Sequence, residues 1–246
     1  MIRFMIVASF VVLFLILSIP LLIAEWIIGK FDQSLKDRSS LAIISWGFRQ
    51  VERLSGTKVI VIGKEHIPQD TAVLYVGNHR SFYDIILTYA RMTTLTGFVS
   101  KKETLRYPLL SNWMRNLHCL FLDRDNIKEG LKTILEAIEK VKSGISIFIF
   151  PEGTRNKTND SFLPFHAGSF KIAEKGNVPI VPVTLVNTAA IFEDHLPKVK
   201  KATVVIEYGK PVYPEELDKE TRKHISTYVF QIISDTYFRN KNKFFH

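Results

Sequence analysis

Residues 4–24, FMIVASFVVLFLILSIPLLIA, run for 21 positions without a charged side chain. As a helix that run spans roughly 30 Å, the thickness of a bilayer's hydrocarbon core. It predicts a lipid-embedded segment, the alternative being a buried core helix. Arg3 is the only basic side chain ahead of the run and no small-x-small site closes it, which argues against a secretory leader. Pro20 is placed to kink the helix, and Gly29 with Asp32 to begin a turn. Beyond them residues 39–54 are amphipathic, with Trp26 and Trp46 as interfacial anchors. Two geometries stay open, a single span and a hairpin of helices lying in one leaflet. Residues 1–55 are therefore assigned to a membrane-associating helical module.

The rest of the chain needs a core of its own. With 246 residues, 46% hydrophobic and 23% charged, the composition excludes a disordered chain and suffices for one good core. The single cysteine, Cys119, can form no internal disulfide, and no CxxC or clustered metal-ligand pattern occurs. A reducing compartment and the absence of a bound metal are expected. The net charge of +9 predicts an anionic partner, whether nucleic acid, phospholipid headgroups or a phosphorylated ligand. Neither a basic recognition helix nor aromatics interleaved with a basic stripe is evident, so nucleic acid is not expected.

From residue 58 onward short apolar runs alternate with amphipathic ones. KVIVIG, TAVLYVG, LTGFVS, ISIFIF at 145–150, PIVPVTLV at 179–186 and ATVVIEYG at 202–209 supply about six strands. Ile127, Leu131, Ile134, Ile138 and Val141 repeat at helical spacing, as do Leu217, Ile225, Val229 and Ile232 in a helix placed between Pro214 and Phe238. The reading is a single α/β domain with a mixed sheet over residues 56–238, followed by a basic tail at 239–246.

Four stretches stand around this sheet. GNHRSFYD, residues 77–84, follows the buried-looking run VLYV, so His79 sits at a strand mouth. FLDRDN, residues 121–126, and FPEGTRN, residues 150–156, each put charged residues directly after an apolar run. Taken alone, Glu152 and Arg155 read equally well as a surface ion pair around a turn at Gly153. VPIVPV at 178–183 is apolar, and reads either as the wall of an acyl groove or as a sheet edge.

In this order the four stretches resemble the blocks of the glycerolipid acyltransferases, specifically the 1-acyl-sn-glycerol-3-phosphate acyltransferase family, over residues 58–210. His79 and Asp84 match a histidine-four-residues-aspartate motif; Phe121, Asp123 and Arg124 match the second block; Phe150 to Arg155 match the third; VPIVPV matches the fourth. One departure is His118, where the second block often has glycine. The resemblance implies a glycerolipid-acyltransferase-like domain that moves a fatty acyl group from acyl-CoA or acyl-carrier protein to the sn-2 hydroxyl of lysophosphatidic acid, giving phosphatidic acid, with no bound cofactor. It makes His79 the general base, a role that suits an imidazole because its ordinary pKa lies near ~6.5, and it makes Asp84 the group that orients the ring.

Arg124, Arg155 and the more flexible Lys101 then become candidates for the acceptor phosphate, since guanidinium forks match phosphate oxygens. Glu152, Gly153 and Thr154 form an acceptor loop, with Glu152 orienting Arg124 or Arg155 or holding the glycerol. Val178, Pro179, Ile180, Val181 and Pro182 wall the acyl groove. Ser81 offers a rival chemistry as an acylated nucleophile with His79 as its base, although NHRS lacks the G-x-S-x-G elbow. The expected setting is an anionic phospholipid leaflet of the cell membrane, with the active domain facing the cytoplasm. Another lysophospholipid, glycerol phosphate or an ornithine-like lipid is the alternative acceptor, and a non-enzymatic membrane scaffold the alternative class.

Overall fold

The computed structural model describes residues 1–158 and 161–245. Three helices come first: α1 (Ile2–Leu17), α2 (Ile19–Phe31) and α3 (Gln33–Ser55). The first break falls at Ser18, two residues before Pro20, which occupies the first turn of α2, where its missing N–H needs no partner. The second falls at Asp32, whose extended backbone ends α2 and whose carboxylate accepts from Leu35 N at 2.9 Å to cap α3. No single described helix is long and apolar enough to cross a membrane; α1 and α2, bent by 45°, reach that length and composition together. Ile2, Leu13, Leu17, Ile23, Trp26 and Phe31 all stand exposed on them.

The α/β part follows as β1 (Lys58–Ile62), β2 (Leu74–Gly77), α4 (Tyr83–Tyr89), β3 (Thr96–Lys101), α5 (Pro108–Asn116), β4 (Leu120–Leu122), α6 (Ile127–Lys142), β5 (Ser146–Ile149), α7 (Lys171–Gly176), β6 (Ile180–Val186), β7 (Thr203–Tyr208), α8 (Lys219–Lys223) and α9 (Ile225–Phe244). These strands form one sheet in the order β1-β7-β6-β2-β5-β3-β4. Every neighbouring pair is parallel except β6 with β7, so the sheet is mixed as expected. β4 is the strand beyond the six expected; at three residues it offers too little alternation to identify from sequence.

Side chains alternate between two layers as the pleat requires. Tyr75, Phe148, Val181, Val183 and Leu185 face one cluster with Ile44 and Val51 of α3, Leu87 of α4 and Trp113 of α5. Leu74, Val76, Ile147, Ile149 and Ile180 face the other, with Ala137 and Val141 of α6 and Val229 and Ile233 of α9. Thus α3 belongs to the α/β core as well as to the helical module. At the far end, residues 239–244 do not form the separate tail expected. They continue α9, because Arg239 and Asn240 hydrogen-bond the two carboxylate oxygens of Glu207 at 2.6 and 2.8 Å. His246 lies outside the described residues.

The apolar stretch 178–182 also departs from expectation. Val178, Pro179, Ile180, Val181 and Pro182 are buried, and β6 lies between β7 and β2 inside the sheet. Val178, Ile180 and Val181 fill the two cores and both prolines are buried, which leaves no free face to wall an acyl groove. Pro182 is tolerated there because its carbonyl meets Gly209 N at 2.8 Å, one residue past the end of β7, so its missing N–H falls where the ladder has stopped.

Candidate active site

Because β2, β5, β3 and β4 run parallel, their carboxyl ends share one edge of the sheet. The chain leaves β2 at Gly77, and Asn78 replaces the ladder there. Its side-chain amide donates to Leu185 O at 2.9 Å and accepts from Leu185 N at 2.8 Å, so the backbone can turn away from β6 without orphaning that strand. His79 follows. Its N–H donates to Glu152 Oε1 at 2.7 Å and its carbonyl accepts from Asn156 N at 2.7 Å, so the loop after β5 pins it on both sides. The ring stacks on Phe150 with centroids 4.2 Å apart.

Asp84, in the first turn of α4, is fully buried. Its Oδ2 accepts from His79 Nδ1 at 2.8 Å, from Arg80 N at 2.6 Å and from Ser81 N at 2.7 Å. A carboxylate held by two backbone donors acts as acceptor toward the ring, which puts the imidazole proton on Nδ1 and leaves the Nε2 lone pair free. Nε2 has no hydrogen-bond partner among the described residues, and the ring is 14% exposed, enough for a substrate hydroxyl to reach it.

Glu152 is 4% exposed, and its Oε2 has no close hydrogen-bond partner among the described residues. Burial, reinforced by the charge of Asp84, pushes its carboxyl up to about 7, against the pull of the backbone donors His79 and Leu163. Its Oε1 holds the His79 backbone, and no hydrogen bond among the described residues joins it to Arg124 or Arg155, which it was expected to orient. Gly153 has φ 71°, the left-handed region where a side chain is strained, and supplies the sharp turn after β5. Thr154 is exposed beside it.

Arg155 does reach the His79 loop. Its guanidinium lies 3.7 Å from the Phe82 ring centroid and donates to Glu193 Oε1 at 3.2 Å. Lys101 and Arg124 are exposed at the ends of β3 and β4, further along the same edge. At about 4.8 Å per strand, the end of β4 lies roughly 14 Å from that of β2. Neither side chain makes a hydrogen bond among the described residues, and Asp123 is taken by Lys102 at 2.6 Å, which lowers the Asp123 pKa.

Ser81 is not poised as a nucleophile. Its fully buried hydroxyl donates to Glu193 Oε2 at 2.5 Å and accepts from Tyr83 N at 2.9 Å, leaving nothing for His79. Sequence reasoning missed Asn78 as a structural splice and Glu193 altogether. The place of Glu193 at the sheet's carboxyl edge, where α/β sites gather, shows only in the fold, since the 3₁₀ turn Ala189–Ile191 separates it from the end of β6. His118, the departure noted above, has φ 56°, which explains a preference for glycine there; its Nε2 pairs with Asp37 Oδ1 at 3.1 Å, tying the loop before β4 to α3.

A parallel-sheet edge carrying a histidine–carboxylate pair, framed by a PEGTR loop, defines an acyltransferase-type α/β domain. The Acyltransferase family model matches residues 58–186, just over half the chain, and the protein belongs to that family. The 1-acyl-sn-glycerol-3-phosphate acyltransferase of Saccharomyces cerevisiae is 30% identical over 176 residues, covering 70% of this chain and 57% of the relative. That of Borreliella burgdorferi is 35% identical over 139 residues, covering 56% and 55%. The Helicobacter pylori protein of the same name is 34% identical over 161 residues, covering 62% and 68%. The matches thus span little more than half the length of the first two. The fold matches the crystal structure of the 1-acyl-sn-glycerophosphate (LPA) acyltransferase PlsC from Thermotoga maritima, with a TM-score of 0.80, 24% identity and coverage of 97% of this chain and 94% of that one.

Proposed function

We propose that this protein transfers a fatty acyl group from an acyl thioester to the sn-2 hydroxyl of lysophosphatidic acid, producing phosphatidic acid. The observation that carries the reading is the His79–Asp84 pair, with Nδ1 committed at 2.8 Å and Nε2 free. The names of the relatives support the acceptor.

The acceptor hydroxyl gives its proton to His79 Nε2 as its oxygen attacks the thioester carbonyl. Buried Asp84 stabilises the imidazolium that forms and keeps the ring aimed. The tetrahedral adduct collapses, the carbon–sulfur bond breaks, and the imidazolium proton accompanies the departing thiolate to give the free thiol. A thiolate needs little help to leave, so one histidine serves as base and then as acid. No acyl-enzyme forms, in keeping with the engaged Ser81 hydroxyl. Arg155, with Lys101 and Arg124 further along the edge, holds the phosphate, and Gly153 and Thr154 shape the loop beside it. The donor is acyl-CoA or acyl-carrier protein. Residues 1–55 associate with an anionic leaflet of the cell membrane from the cytoplasmic side, which delivers a lipid acceptor in two dimensions and offers exposed apolar helices a partner.

The test is turnover by the purified full-length protein in detergent, with matched thioester donors and a panel of acceptors, products being read by mass spectrometry. Phosphatidic acid is expected as the main product. Substantially higher kcat/KM with another acceptor replaces the substrate assignment, and equal activity with unactivated fatty acid removes the thioester.

A further inference from the structure

We propose that Glu193 is a positioning residue that aims the Arg155 guanidinium at the acceptor's phosphomonoester; this rests on the reading that Arg155 holds that phosphate. Glu193 begins a 3₁₀ turn, Glu193–His195, beyond the end of β6. Its carboxylate gathers three donors from two distant segments: Ser81 Oγ at 2.5 Å on Oε2, with Phe82 N at 2.7 Å and Arg155 at 3.2 Å on Oε1. With a side chain 16% exposed, it is shielded enough for these bonds to hold their geometry.

The charge is what needs explaining. Ser81 Oγ and Phe82 N could be satisfied by a neutral acceptor, and Asp84 and Glu152 already bring two carboxyl groups to the same loop. A third, placed where an anion is to bind, opposes that anion unless it acts through a cation. Arg155 is that cation. Phe82 fixes the plane of the guanidinium by lying 3.7 Å beneath it, and Glu193 fixes its rotation within that plane by engaging one N–H edge. The remaining N–H groups have no partner among the described residues, and the side chain is 36% exposed, so a pre-aimed donor edge is offered to solvent. Glu193 is itself held from behind: its neighbour Phe192 stacks on Phe4 of α1 at 5.7 Å and 9°, and Ile191 is fully buried.

The experiment compares acceptor KM, donor KM and kcat for wild type, E193A, E193D, R155A and E193A/R155A, with thermal melts to establish folding. R155A is expected to raise acceptor KM at least about tenfold, the scale of one charge-assisted hydrogen bond. E193A raises it about fivefold or more while donor KM stays within about twofold, and adds less than about twofold in the R155A background, because it acts through that arginine. E193D keeps the charge but shortens the reach, so it gives a smaller rise of the same kind and carries the test should E193A not fold. Additive effects of the two substitutions, or equal rises in donor and acceptor KM, overturn the proposal. R155A impaired with both Glu193 variants silent overturns Glu193 alone, whereas R155A with unchanged acceptor KM overturns the phosphate reading and this inference together.

Discussion

The carboxyl edge of the sheet is built in two ways. At its centre, after β2 and β5, the catalytic pair is pinned: His79 is held through its backbone N–H, its carbonyl and Nδ1, and Asp84 takes three donors on one oxygen. At its outer end, Lys101 at the end of β3 and Arg124 just past the three-residue edge strand β4 stand exposed, without a hydrogen bond among the described residues. Proton transfer requires a base fixed to a fraction of an ångström, whereas attraction between a phosphate and a cation falls slowly with distance and tolerates a mobile side chain. The difference in construction follows the difference in task, and it predicts that substitutions in the His79–Asp84 pair act on kcat and those of the phosphate-facing cations on acceptor KM.

The largest effect is expected at His79. H79A should keep its fold and its partitioning into detergent yet lose transfer by at least about 100-fold at saturating substrates, the usual contribution of a positioned proton acceptor. A folded H79A protein with near-normal turnover would break the comparison at its strongest point. D84A should follow closely for a different reason. The ring survives, but its tautomer and direction are lost, together with the acceptor for Arg80 N and Ser81 N. Near-normal activity of D84A would leave the base in place and remove its orienting partner.

Glu152 tests how tightly the centre is closed, through stability rather than rate. Its carboxyl sits at about 7 in the fold against an ordinary 4.5, because burial disfavours its charged form. Below about pH 4.5 it is protonated in both states and contributes nothing. As pH rises from there to about 7, the unfolded chain releases the proton while the native state keeps it, so native stability falls; above that range the penalty is constant. E152Q lacks this titration and still offers an oxygen to His79 N. Its stability relative to wild type should therefore grow between pH 5 and pH 8, by up to roughly 3 kcal/mol, measured by parallel denaturation at each pH. A difference that does not change with pH would mean that water or a cation reaches Oε2.

The same contrast governs how much was legible in the sequence. Six strands, the helix after Asn126 and the His79–Asp84 pair are local patterns: pleat alternation, a 3.6-residue repeat, and two groups five positions apart. Glu193 was not legible, because its partners lie 112, 111 and 38 residues away and nothing in FEDH marks it apart from an ordinary surface acid. Val178 to Pro182 misled for a related reason. A strand buried on both faces reads as a continuous apolar run, indistinguishable in sequence from a groove wall. His118 sits between these cases: its departure from glycine was visible, but its left-handed backbone and its bond to Asp37 needed the fold.

The smallest effects belong to the outer end. An exposed cation facing a phosphate across solvent contributes about 0.2–1 kcal/mol, so K101A and R124A should each raise acceptor KM by no more than about fivefold and leave kcat nearly unchanged. Because neither side chain bonds to another described residue, the melting temperature should also stay close to that of wild type. Raising the salt concentration should shrink both effects, since these charges are screened while those at the centre are not. Steady-state kinetics at two ionic strengths, with melts in the same detergent, measures all of this. A tenfold or larger loss in kcat for R124A would mean that the loop after β4 folds over the acceptor during turnover and joins the rigid centre, and the edge would then have one mode of construction rather than two.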